Sequence, residues 1–133
     1  MTIIDNAVYV NGVRRAEPES LEQTFETLAR HGGMAWIGLY RPTVEEMAAV
    51  ADEFGLHALA VEDAVSAHQR PKLERYDDNH FTVLRPARYL DEDETVEFGE
   101  LHVFTGRNFV VTVRHAETAG VATVRRRLES RPD

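Results

Sequence analysis

The side chains in this sequence that could do chemistry are mostly hard oxygen donors and imidazoles, the ligand types of divalent cations. They comprise the adjacent carboxylates Glu62 and Asp63, the run Asp77-Asp78-Asn79-His80, the acidic run from Asp91 to Glu94, and six histidines. His57, His68, His80, His102 and His115 are spread along different predicted elements, so spacing brings no three of them to one metal, and structural or surface roles are expected for them. Asp77-Asp78-Asn79-His80 stands where a turn must lead into an apolar strand at Phe81. Aspartate and asparagine favour turns by bonding their own backbone. The run from Asp91 to Glu94 reads as a solvated hairpin loop whose charge weakly attracts cations. Glu62 and Asp63 are the sharper pair. Adjacent residues on a helix point about 100° apart, so the two cannot enclose one ion by themselves. Magnesium keeps several waters and takes one or two carboxylates directly, so a hydrated ion completed by a partner surface suits them.

Enzymatic chemistry finds no foothold. There is no P-loop, no dinucleotide glycine fingerprint, no G-x-S-x-G elbow and no H-E-x-x-H helix. Cysteine is absent, which removes thiolate zinc sites, disulfides and a cysteine nucleophile. The chain is therefore read as a non-enzyme with no catalytic residue.

The elements that must position these side chains alternate between strand and helix. Ala7 to Val10, Asn11-Gly12 and Val13 predict a hairpin about a tight turn. Ser20 with Gln23 predicts a capping box for a helix carrying Leu21, Phe25 and Leu28 on one face and stopped by Gly32-Gly33. Met34 to Tyr40 is an unbroken apolar run of strand length, expected at the sheet centre. Thr43 with Glu46 caps a second helix, with Val44, Met47, Ala48, Ala51 and Phe54 on its inner face and Gly55 as its stop. A shorter helix from Ala58 to Ala67 is expected to pack through Leu59, Ala60 and Ala64, with Glu62, Asp63 and Ser66 facing partly outward. Pro71 forces Arg70 into an extended conformation. Strands then follow at Phe81 to Leu84, around Tyr89, over Val96 to Phe104 with a bulge at Gly99 where the parity changes, and at Phe109 to Val113. Three neighbouring strands of this half are expected to be antiparallel. A closing helix is read through Val121, Val124 and Leu128, with Arg125, Arg126, Arg127 and Arg131 towards its C-terminal end. The whole, residues 1–133, is one α/β domain with a mixed sheet.

Composition limits the partners. The 133 residues are 43% hydrophobic and 29% charged, an ordinary globular balance, with a formal net charge of -8. That charge opposes binding to nucleic-acid phosphates and accommodates cations. No apolar run approaches the roughly 20 residues that span a bilayer, and no signal core follows Met1, so the chain as it stands reads as soluble and unexported.

Two stretches carry a resemblance. Glu53-Phe54-Gly55-Leu56-His57-Ala58-Leu59-Ala60-Val61-Glu62-Asp63 and His68-Gln69-Arg70-Pro71-Lys72-Leu73-Glu74-Arg75-Tyr76 resemble the N-terminal cytoplasmic domain of the CorA family of magnesium and cobalt transporters. Trp36-Ile37 before them and Val111-Thr112-Val113-Arg114 after them fit the same pattern. Relatives often carry proline where Ala58 stands and leucine where Val61 stands, which leaves the subfamily open.

The resemblance implies a three-layer αβα domain with a mixed parallel and antiparallel sheet, on the cytoplasmic face of the cell membrane in a homopentameric channel-like transporter. It implies that the stalk, the transmembrane helices and the Gly-Met-Asn pore signature lie after Asp133, so that the membrane is reached only through that part. It also implies that Asp63, with Glu62 as its helper, binds a regulatory Mg2+ between subunits, with Co2+ as a second ion. Binding by the isolated domain should be weak, and the isolated domain a monomer or weak dimer. The alternatives are a free-standing soluble interaction module of this fold, the cytoplasmic domain of a zinc-transporting relative, and a small hydrolase.

Overall fold

The computed structural model describes residues 3–16, 20–66, 70–85, 87–90, 92, 95–114 and 126–130. The chain starts with strands β1 (Ile3–Val10) and β2 (Val13–Ala16), joined through Asn11 and Gly12. Both turn residues have positive φ, 54° and 79°, which suits a two-residue hairpin turn and explains an asparagine followed by glycine. Helix α1 (Leu21–His31) begins at Ser20, whose hydroxyl accepts a hydrogen bond from the Gln23 backbone N–H. After it, Gly33 sits at φ +87° with the Tyr9 carbonyl oxygen 2.1 Å from where a Cβ would be, so no larger residue fits this approach to β1.

Strand β3 (Met34–Tyr40) pairs antiparallel with β1 on one side and parallel with the late strand β9 (Phe109–Arg114) on the other. It is internal, as an apolar run of that kind requires. Helix α2 (Val44–Phe54) has the full reciprocal cap: the Glu46 N–H donates to Thr43 Oγ1 and the Thr43 N–H to Glu46 Oε1. Gly55 ends it in the left-handed conformation, and helix α3 (Ala58–Ser66) follows. Strands β4 (Lys72–Tyr76), β5 (Asn79–Leu84), β6 (Ala87–Leu90), β7 (Thr95–Phe98) and β8 (Leu101–Thr105) lead back to β9. The main sheet runs β2-β1-β3-β9-β8-β5-β4, with β3 and β9 as its parallel pair, while β6 and β7 form a separate two-stranded sheet.

The core lies on one face of the main sheet. Ala35, Ile37 and Leu39 of β3, Phe81 and Val83 of β5, Phe104 of β8 and Phe109, Val111 and Val113 of β9 are buried together against Met47 and Val50 of α2 and Ala60 and Ala64 of α3. Leu21, Phe25 and Leu28 of α1 pack at its margin, as their helical spacing predicts. Phe54 joins the layers, its ring 4.5 Å from that of Phe109 and edge-on to Phe25 at 5.6 Å. On the opposite face Tyr9, which alternates with core-facing Val8, donates a 2.6 Å hydrogen bond to Glu129, and Arg14 donates to the same oxygen at 2.8 Å. Residues 126–129 are helical, so a helical turn is tied to the second face there.

Several expectations need correction. The stretch from Val96 to Phe104 is two strands in two different sheets, because the parity change at Gly99 marks a change of partner strand rather than one inserted residue. The buried face of α2 is set by Met47 and Val50, whereas Val44 is 64% exposed and Ala48 is also exposed. In α3, Leu59 is 59% exposed; the sheet lies under Ala60 and Ala64, and Leu59 is rotated off that face. Leu128 is exposed too, and Glu129 makes the contact to the sheet instead. Val121, Val124, Arg125, Arg131 and most of the run from Asp91 to Glu94 lie outside the described residues, as do Ala67, His68 and Gln69.

Candidate functional site

Helix α3 carries the two carboxylates read from the sequence. Its start is fixed by His57, whose Nδ1 accepts the Leu59 N–H at 3.2 Å as an N-capping group does, and whose ring stacks on Tyr76 at 4.2 Å between centroids. From that start, Ala60 and Ala64 face the core, leaving Glu62 exposed and Asp63 at the boundary, its side chain 29% exposed.

Strand β4 runs back beneath α3 along the edge of the sheet. Lys72 is opposite Val83, and Glu74 is opposite Phe81, so these charged residues share the face of buried apolar partners while Leu73, 68% exposed, points the other way. Inward charges on an edge strand discourage further strand pairing. Here they also meet the helix. Lys72 Nζ lies 2.6 Å from Asp63 Oδ2 and 2.6 Å from Glu74 Oε1, and 5.6 Å from the centre of the Phe81 ring. Tyr76 Oη donates to Glu74 Oε2 at 3.0 Å. Asp63, Lys72, Glu74, Tyr76 and His57 therefore form one polar cluster between α3 and the sheet edge.

The electrostatics follow from this geometry. The hydrogen bond to Asp63 and the close ion pair with Glu74 hold the Lys72 ammonium well above its ordinary pKa, outweighing its partial desolvation. The Lys72 bond, then the Tyr76 bond, pulls the Glu74 carboxyl below the usual range. Burial, with the bond to Glu74, raises the Tyr76 phenol. At neutral pH the cluster holds a charged ammonium between carboxylates, a cation already seated on Asp63.

Asp63 and Glu62 stand side by side on α3 as read; Asp63 is engaged by Lys72, and Glu62 is exposed. Among the described residues no group of three or more His, Cys, Asp and Glu side chains is placed to hold a metal. Asp77-Asp78 is the β4–β5 turn, with Asp77 at φ 55°, and His80 is exposed on β5. His102 is fully buried against Glu100, its Nε2 2.5 Å from Oε2, with Arg85 3.5 Å from the other oxygen. Sequence reasoning missed Lys72, Glu74 and Tyr76 as a unit. Their alternation at i, i+2 and i+4 was the available signal.

Asp63 is a hard oxygen donor, open enough to solvent for an ion to reach, and its Oδ2 is a position where positive charge is held.

A family model described as "CorA-like Mg2+ transporter protein" matches residues 31–133. The "Putative metal ion transporter YfjQ" of Bacillus subtilis (strain 168) is 42% identical over 98 residues, covering 74% of this chain and 30% of that protein. Among solved structures, full-length CmaX superimposes with a TM-score of 0.75 at 21% identity, over 97% of this chain and 39% of that one. The ZntB cytoplasmic domain from Vibrio parahaemolyticus RIMD 2210633 gives 0.69 at 14% identity, over 97% and 50%. At these identities the structural likeness speaks for the fold. The chain spans less than a third of YfjQ and under half of CmaX. None of the described helices is long and apolar enough to cross a membrane.

Proposed function

We propose, because this chain belongs to the family of CorA-like Mg2+ transporter proteins, that it is the regulatory, magnesium-sensing domain of such a transporter, on the cytoplasmic face of the membrane. In that setting Asp63, with Glu62 beside it, meets a carboxylate of the neighbouring subunit of a homopentamer across a largely hydrated Mg2+, with Co2+ as the other ion accepted. The observation that carries the reading is the position of Asp63, at the rim of α3 with its carboxylate turned to a cation. A metal between two acidic surfaces relieves their repulsion and favours the closed arrangement of subunits, and its loss frees them. Glu62 and Asp63 bind and orient the ion from this side. The rest of the shell comes from water and the neighbour.

The expected result for Asp63→Ala, in the transporter encoded by the complete reading frame, is loss of most of the protection that Mg2+ gives against limited proteolysis. The melting temperature of the domain should change little, since an ion pair open to solvent contributes no more than about 1 kcal/mol. Undiminished protection in that variant would remove Asp63 from the sensing site.

A further inference from the structure

The cation on Asp63 in this structure belongs to the protein, and it competes with any metal for the same carboxylate. Lys72 reaches Asp63 Oδ2 at 2.6 Å, and the same ammonium is shared at 2.6 Å with Glu74, which Tyr76 holds in place. Its position over Phe81, a core residue 1% exposed, anchors the far end of the side chain on a rigid base. A lysine held at three points is not a casual surface partner. An ion approaching Asp63 therefore meets an occupied carboxylate, and an ammonium that has a second carboxylate to retreat to.

We propose that Lys72 is the built-in counter-ion of Asp63, and that its division between Asp63 and Glu74 sets the Mg2+ concentration at which the sensing site fills. Metal entry shifts the ammonium onto Glu74 with no charge left bare. Glu74 is thus a positioning residue for the switch: it holds Lys72 when the metal holds Asp63. The inference rests on the sensing role of Asp63 and adds its threshold.

The test is a titration of this chain with MgCl2, followed through the backbone amide resonances of residues 60–66, in wild type and four variants. Lys72→Gln is expected to lower the half-saturating Mg2+ concentration at least about fivefold, the scale of one unit charge acting across about 4 Å in bulk water. Glu74→Gln leaves the ammonium to Asp63 alone and should raise that concentration several-fold. Arg107→Gln changes net charge as Lys72→Gln does, but on the β8–β9 turn, where the side chain is 85% exposed; it should titrate like wild type. Asp63→Asn should abolish the response. If Lys72→Gln does not fold, the Glu74→Gln shift decides the matter. A wild type that responds at Asp63 while Lys72→Gln and Glu74→Gln share its midpoint overturns the role of Lys72 and leaves the sensing reading standing. No response at Asp63 in any protein up to tens of millimolar overturns a threshold set by Lys72, while the sensing reading, which places half of the shell on the neighbouring subunit, is decided by the proteolysis of Asp63→Ala.

Discussion

Phe81→Ala should destabilise the domain by about 3–5 kcal/mol, the usual cost of emptying a buried aromatic site. Phe81 is 1% exposed on β5, with its ring 4.8 Å from Phe104 and 5.6 Å from the His102 ring, under the layer that α2 and α3 form. Neighbouring strands pin the backbone on both sides, so the void cannot collapse easily. In a chain of this size the melting temperature should fall by roughly 10–20 °C, which circular dichroism would read directly. Phe81→Leu, which keeps most of the volume, should cost far less. A Phe81→Ala protein melting within about 2 °C of wild type would mean that the core is not packed around this ring. Because Lys72 lies over Phe81, the same substitution also removes the base of the polar cluster and ties the core to the site.

The second large effect belongs to Glu100. This carboxylate is 6% exposed, begins the return of the chain from the β6–β7 sheet into the main sheet, and is hydrogen-bonded to fully buried His102. Removing it takes away a hydrogen bond of the buried His102 ring and an ion pair of Arg85. Glu100→Ala is therefore expected to cost about 1.5–3 kcal/mol, the range for hydrogen bonds to charged groups. Glu100→Gln keeps a hydrogen-bonding oxygen and should recover about half of that loss. Chemical denaturation of the three proteins checks the order. Equal stability of Glu100→Ala and wild type would show that the Glu100–His102 contact does nothing for the fold.

What was legible in the sequence is what local rules govern. Asn11-Gly12, the Thr43–Glu46 cap and the Gly55 stop depend on a few adjacent residues, and each appears where its chemistry demands. The apolar run from Met34 to Tyr40 carries the position of β3, because only a strand covered on both faces needs apolar residues at both parities. The αβ architecture follows from these elements.

The rest was lost where a residue's meaning depends on a distant partner. Leu59 and Val44 are apolar at helical spacing, yet the sheet lies under Ala60, Met47 and Val50, and a shift of one residue around the helix decides which side chain is covered. Gly99 changed parity for a reason no local rule contains: the two strands beside it pair with different sheets. In the candidate site, Asp63 was found through family resemblance and its place on a helix. Lys72 is nine positions away across a change of chain direction, and its role exists only because β4 returns beneath α3. The alternation of Lys72, Glu74 and Tyr76 holds no local sign of burial, yet it is the inward face of an edge strand.

The most direct measurement of the central claim is the location of the ion. In crystals of the complete transporter grown with Co2+, whose anomalous scattering identifies it, we expect a peak within about 4 Å of an Asp63 carboxylate oxygen, directly bound or through one water. A carboxylate of the neighbouring subunit should lie on its other side, and Lys72 should have moved from Asp63 to Glu74. Ordered cobalt elsewhere in the protein, with none near Asp63 and Lys72 still bonded to it, would contradict the account.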